Sequence, residues 1–209
     1  MNAQRILILA PHTDDGEFGC GGSIAKLTEQ DKNVFYAAFS IAEKSVPPNM
    51  PKNILETEVK SAVDKLGISA SNLIVNKFQV RTFSYVRQEI LEELIKIKKQ
   101  IAPDLVFIPS TNDLHQDHYT VAIEAIRAFK TTSILGYEIP WNNITFHAQA
   151  FIKLTEAHIK KKIEALKVYK SQQHRPYANG DFVWALAKTR GTQIETEFAE
   201  TFEVIRWVI

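Results

Sequence analysis

The 209-residue chain has a single cysteine, Cys20, so an internal disulfide framework cannot form, which suits a reducing compartment. It has no run approaching the ~18 consecutive apolar residues that a membrane-spanning helix needs. Neither sign of charge is in excess: 25 Lys+Arg face 24 Asp+Glu, which removes the electrostatic argument for a nucleic-acid or anionic-membrane partner. The first apolar stretch, Arg5–Ala10, is too short for the core of a secretion signal and ends at Pro11-His12. Internal repeats, low-complexity tracts and domain linkers are also missing. What remains is a 45% apolar chain of single-domain size, expected to be soluble and cytoplasmic.

Strand and helix signals alternate along the chain, which predicts an α/β fold around a mostly parallel sheet. Strands are expected at Arg5–Ala10, Asn33–Ser40, Asn72–Phe78, Leu105–Pro109, Ser133–Ile139 and Phe198–Val208, with extended chain at Phe146–Leu154. Arg5–Ala10 is continuously apolar after its first residue and so reads as buried on both faces. Helices are expected at Ile24–Gln30, Ile54–Leu66, Tyr85–Ile101 and Thr120–Phe129, from a Thr155 cap to about Ser171, and around Phe182–Lys188. Gly67 and Pro103 mark stops, and Pro47-Pro48 excludes helix from the loop at Ala42–Pro51. Gly19-Cys20-Gly21-Gly22-Ser23 reads as a tight turn into the first helix; its spacing is not a dinucleotide fingerprint. The lysines of the late basic helix, Lys160, Lys161, Lys162 and Lys167, read as a solvated face. His147, His158 and His174 have no local partners and read as structural or surface residues, and Cys20 as a packed one.

Chemistry concentrates in two places. Pro11-His12-Thr13-Asp14-Asp15 closes the first strand, and His115-Gln116-Asp117-His118 follows the fourth. In open parallel sheets, ligands sit where loops converge at the carboxyl ends of strands. Adjacent carboxylates at the end of a buried strand repel each other and resist desolvation unless a cation compensates them. Imidazole and carboxylate donors without thiolate suit a catalytic zinc site with an open position, or another divalent first-row ion such as iron(II). The simplest donor set is His12, Asp15 and His118. It leaves Asp14 and His115 beside the metal for proton transfer, and Asp117 to fix a histidine tautomer.

These residues resemble a known family. Pro-His-Thr-Asp-Asp-Gly-Glu at 11–17 is similar to the His-Pro-Asp-Asp-Glu signature of the PIG-L/LmbE-like zinc-dependent de-N-acetylases, and His115–His118 to their His-x-Asp-His signature. Thr13 stands where the family usually has proline, and Gly16 is interposed before Glu17; neither change removes a donor. Lys162–Gln172 resembles the family's Lys-x-x-Ala-Leu-x-x-Tyr-x-Ser-Gln helix, and Arg190-Gly191 and Phe198–Phe202 its late segments. The resemblance implies one domain over residues 1–209 with a Rossmann-like three-layer fold. It implies zinc held by His12, Asp15 and His118, Asp14 as general base, and His115 as the residue that stabilises the oxyanion or donates a proton, oriented by Asp117.

In the mechanism so implied, an activated water attacks an acetamide carbonyl, and the oxyanion is held by the metal and by His115 as imidazolium. The expected partner is a small N-acetylated sugar or sugar conjugate, with no nucleic acid and no membrane span; a homo-oligomer is compatible with the sequence. Arg81 is the candidate for the family's substrate-contacting arginine. Trp141 is a candidate platform for a sugar ring, and Glu138 a partner for a sugar hydroxyl. The alternatives are a Rossmann-like sugar- or nucleotide-binding module without catalysis, and a hydrolase of a non-sugar N-acyl amine.

Overall fold

Strand β1 (Arg5–His12) lies inside the sheet, hydrogen-bonded to β2 (Asn33–Ser40) on one side and β4 (Leu105–Pro109) on the other. The computed structural model describes residues 3–173, 175 and 177–209; His174 lies outside the described residues. With β3 (Leu73–Val75) and β5 (Ser133–Tyr137) these strands form a parallel sheet in the order β3-β2-β1-β4-β5. Strands β7 (Phe198–Arg206) and β6 (Ala150–Leu154) continue it antiparallel, giving seven strands.

The alternation of β1 divides the core. Ile6, Ile8 and Ala10 face one layer, with Tyr36 and Phe107, while Leu7 and Leu9 face the other, with Phe39, Val106 and Ile108. Helices α1 (Asp15–Glu29), α2 (Ile54–Lys65) and α5 (Glu156–Val168) cover the first face. Helices α3 (Arg87–Ile101) and α4 (Gln116–Ala128) cover the second. Helix α6 (Gly180–Thr192) packs beside β7 over a smaller cluster that includes Val183, Ala187 and Phe198. Among the described residues no helix is long and apolar enough to cross a membrane.

Two helix starts differ from expectation, and both matter for the site. Helix α1 begins at Asp15, not Ile24, so the glycine stretch is helical, with a break at Cys20 (φ −147°, ψ 24°). Tertiary contact overrides the poor helix propensity of glycine here. A Cβ on Gly16 would come within 2.5 Å of the Tyr36 ring, and one on Gly19 within 2.2 Å of the Tyr137 ring, so only glycine lets the helix lie this close. Helix α4 begins at Gln116, not Thr120, which puts Asp117 and His118 in its first turn with His115 as the capping residue. Elsewhere β3 is shorter and α6 longer than expected. Lys162 is not solvated with its neighbours; it is only 4% exposed.

From β1 the chain moves to β2 on one side, and the later strands return on the other. The carboxyl ends of β1 and β4 therefore flank a topological switch point, the place where open α/β sheets receive ligands.

Candidate metal centre

The strand ends of β1 and β4 bring together residues more than a hundred positions apart. His12 Nδ1, Asp15 Oδ2 and His118 Nε2 form a triangle with all three edges at 3.2 Å. Two ligands of a tetrahedral ion with bonds of 2.0–2.1 Å lie about 3.3 Å apart, so the spacing fits. The hydrogen positions make the same point. His118 Nδ1–H donates to Asp113 Oδ2 at 2.8 Å, and His12 Nε2–H donates to Asp117 Oδ2 at 3.1 Å. A neutral ring at either position keeps its one proton on that far nitrogen, and its lone pair then faces the other histidine and the Asp15 carboxylate. Such a set is repulsive unless a cation lies within it. The neighbouring ring of His115 also converges: His12, His115 and His118 offer nitrogens within 4.8 Å of one another.

The electrostatics follow from this crowding. Burial opposes charge on His118, but the carboxylates of Asp15 and Asp113 outweigh it and lift its pKa to about 10; His12 is raised in the same way, chiefly by Asp15. Burial would raise Asp15, yet His118 and His12 hold it well below the usual carboxylate range. In the absence of metal, protons take its place. Asp14, the residue before α1, is pushed up to about 6 by burial and by the charge of Asp15. His115 is driven down to about 4 by burial and by the two neighbouring histidines.

Asp117 contacts His115 as expected, but through its backbone; its carboxylate serves His12. That carboxylate is committed to His12, to the Arg81 N–H at 2.6 Å and to the Phe83 N–H at 3.2 Å. His115 is fixed instead by the Asp117 backbone, whose N–H donates to Nδ1 at 3.2 Å. Since Nδ1 accepts, the neutral ring carries its proton on Nε2. With its pKa driven down to about 4, the His115 ring is neutral near pH 7 in the absence of metal.

Asp113 is the residue that sequence reasoning missed. Its carboxylate bonds His118, the His115 N–H at 2.8 Å and the Asn142 amide at 3.4 Å. The signal was local, a carboxylate five residues before His118.

The donors open into a cavity of about 290 Å³ that is also lined by Asp14, Arg81, His115, Trp141, Arg175 and Tyr177. Arg81 has a left-handed backbone (φ 69°), pinned by its N–H to Asp117, and gives a guanidinium N–H to Ser45 Oγ at 3.2 Å. Trp141 is already stacked on Tyr177, ring centroids 3.7 Å apart and 7° from parallel, with Phe18 edge-on at 5.0 Å. One of its two faces is therefore taken. Glu138 does not line this cavity: it is buried, and Arg190 holds both its oxygens at 3.0 and 2.5 Å, which corrects its assignment to a sugar hydroxyl.

The β1–α1 loop is braced from outside. The hydroxyls of Tyr36 and Tyr169 lie 2.9 and 2.7 Å from the Thr13 carbonyl, and both contact the Glu17 carboxyl, Tyr169 at 2.8 Å. Burial pushes Glu17 up to about 8. Ser171 is bound to Glu58, so three of the late motif residues serve as braces. Cys20 is packed and buried, and His158 is a buried cap of α5 that bonds Glu29.

The family description PIG-L, GlcNAc-PI de-N-acetylase, matches residues 7–129, which hold both clusters. A deacetylase of Escherichia coli (strain K12), YaiS, described as uncharacterized, is 31% identical over 175 residues, 79% of this chain and 90% of that one. A probable N-acetyl-alpha-D-glucosaminyl L-malate deacetylase 2 of Bacillus anthracis is 29% identical over 196 residues, 82% of each. Among solved structures, the N,N'-diacetylchitobiose deacetylase of Pyrococcus horikoshii superposes with a TM-score of 0.83 at 21% identity, covering 98% of this chain and 84% of that one. That likeness concerns the fold. With both clusters inside the matched region and a relative above 30% identity over most of its length, the chain belongs to the PIG-L de-N-acetylase family.

Proposed function

We propose that the protein is a metal-dependent N-deacetylase acting on an N-acetylated amino sugar or a conjugate of one, with His12, Asp15 and His118 as the metal ligands. The observation that carries this reading is the 3.2 Å triangle of donor atoms, with Asp113 and Asp117 engaging the outward nitrogens of the two rings. Zinc fits the donors, as does iron(II). When bound, such an ion polarises the acyl carbonyl and acidifies water toward a pKa of ~7. Asp14, raised to about 6, is matched to accept the proton of the attacking water near neutrality and to return it to the departing amine. His115 offers a neutral Nε2–H, held by the Asp117 amide, to the carbonyl oxygen as negative charge builds there. Asp113 and Asp117 keep the ligand nitrogens deprotonated on the side facing the metal.

Arg81 and Arg175 line the cavity, and among the described residues neither has a carboxylate within ion-pair distance. They favour a sugar conjugate with an acidic group, since a guanidinium fork suits carboxylate and phosphate. A binding-only module would have no use for a carboxylate tuned to about 6 beside a donor triangle.

The test combines metal analysis of the purified protein with measurement of acetate and free amine released from N-acetylglucosamine presented free, glycosidically linked and nucleotide-linked. Stoichiometric metal, and acetate release that exhaustive chelation abolishes, are expected. Full activity after chelation, or no acetate from any member of the panel, would sink the reading.

A further inference from the structure

Helix α1 supplies Asp15 from its first residue and the cavity wall residue Phe18 from its first turn, yet it is broken one turn later. The non-helical backbone at Cys20 leaves carbonyls of the leading segment and N–H groups of the trailing segment without helical partners. Both sets are buried, so water cannot serve them. Two side chains from distant parts of the chain take their place. Lys162 Nζ donates to the Phe18 carbonyl at 2.6 Å. Glu200 accepts the Gly22 N–H at 3.0 Å and the Ser23 N–H at 2.6 Å. The two are tied to each other at 2.7 Å and are only 4% and 6% exposed. Their signs suit their places, a cation at a carbonyl end and a carboxylate at an N–H end. The glycines make room: a Cβ on Gly21 would fall 2.9 Å from Lys162 Cγ, and one on Gly22 would fall 3.2 Å from Glu200 Oε1.

We propose that Lys162 and Glu200 are positioning residues for the metal centre, splicing the broken helix so that its leading segment is aimed independently of the rest of α1. The leading segment is held at its other end by the Tyr36 hydroxyl, which accepts the Gly16 N–H at 3.1 Å. Between those two anchors lie Glu17 and the backbone of Phe18, whose ring stands edge-on to Trp141 and Tyr177. The splice therefore fixes the Asp15 donor and one wall of the cavity together. The splice ties that aim to α5, which carries Lys162, and to β7, which carries Glu200.

Removing one charge alone would strand the other in the core and threaten folding. The test therefore uses the double variant Lys162→Met/Glu200→Gln, neutral and similar in volume, with Glu200→Asp, which keeps the charge but shortens its reach, as a milder companion. Two readouts follow the leading segment. In metal-free protein, amide exchange at residues 15–19 should quicken at least tenfold in the double variant, with exchange in α3 unchanged. In cobalt(II)-loaded protein, the visible absorption of the metal should shift in the double variant and, by less, in Glu200→Asp. This second readout rests on the metal reading above. If wild-type protein binds no cobalt, that reading fails, while the exchange measurement still decides the splice. Exchange and absorption identical to wild type would overturn the proposal, as would quickening spread evenly through the core.

Discussion

The two loops that meet at the donor triangle are built in opposite ways. The β1–α1 loop is only Thr13 and Asp14, and its braces come from far away: Tyr36 on β2, Tyr169 after α5, and Asp117 in the first turn of α4, which orients His12. The β4–α4 loop is longer and largely braces itself. Asp113 orients His118 and ties down the His115 amide within six residues, while Glu203 of β7 takes Ser110 Oγ at 2.8 Å and the Asn112 amide at 3.0 Å. The difference teaches that a short loop delivers ligands rigidly only if the surrounding fold holds it, whereas a longer one can carry its own orienting groups.

Breaking either loop at a donor should have the largest effect. His12→Ala and His118→Ala are each expected to lose the metal and to lower turnover by about a thousandfold or more, since the metal's several kcal/mol of charge stabilisation go with it. Elemental analysis beside acetate release checks this, and an active, metal-loaded His118→Ala protein would refute the triangle. Next, Asp14→Asn should retain the metal and lower kcat by about 10²–10⁴. With Asp14 at about 6, the wild-type rate should fall as pH drops through that value, because protonation removes the base. A surviving acid limb in Asp14→Asn would show that another group titrates.

The comparison itself is sharpened by the orienting carboxylates. Asp113→Asn and Asp117→Asn should each weaken metal binding by about 10–100-fold. Each carboxylate also holds two amide N–H groups besides its histidine, so losses of similar size are expected; competition with a metal indicator measures both. Smaller still, Tyr169→Phe should lower stability by about 1 kcal/mol, the usual worth of one hydrogen bond, seen as a depressed melting temperature. The subtlest prediction concerns Glu17, whose folded value of about 8 lies above its ordinary 4.5. Its contribution to stability is fully present below pH 4.5 and is lost as pH rises through about 8. Denaturant unfolding across that window should show a downward slope that Glu17→Gln flattens; an unchanged slope would assign the proton elsewhere.

Much of this was legible in the chain. The continuous apolar run at Ile6–Ala10 announces a strand buried on both faces, and the two clusters announce themselves as strand-end chemistry. The glycine stretch was misread because its helicity depends on the rings of Tyr36 and Tyr137, which local pattern does not contain. Lys162 was read as solvated because its neighbours are, and only the broken helix explains its burial. Glu138 was misassigned because nothing near it in sequence points to Arg190, fifty-two positions on.

Sequence alone determined which residue types could bind a cation and at which strand ends they would stand, because periodicity and donor chemistry are properties of short segments. Tertiary structure decided which nitrogen of each histidine faces inward, which carboxylate serves which ring, and which residues of the late motifs are braces. Those choices rest on hydrogen bonds between groups up to about 180 residues apart, and no local pattern records where a chain will return to itself.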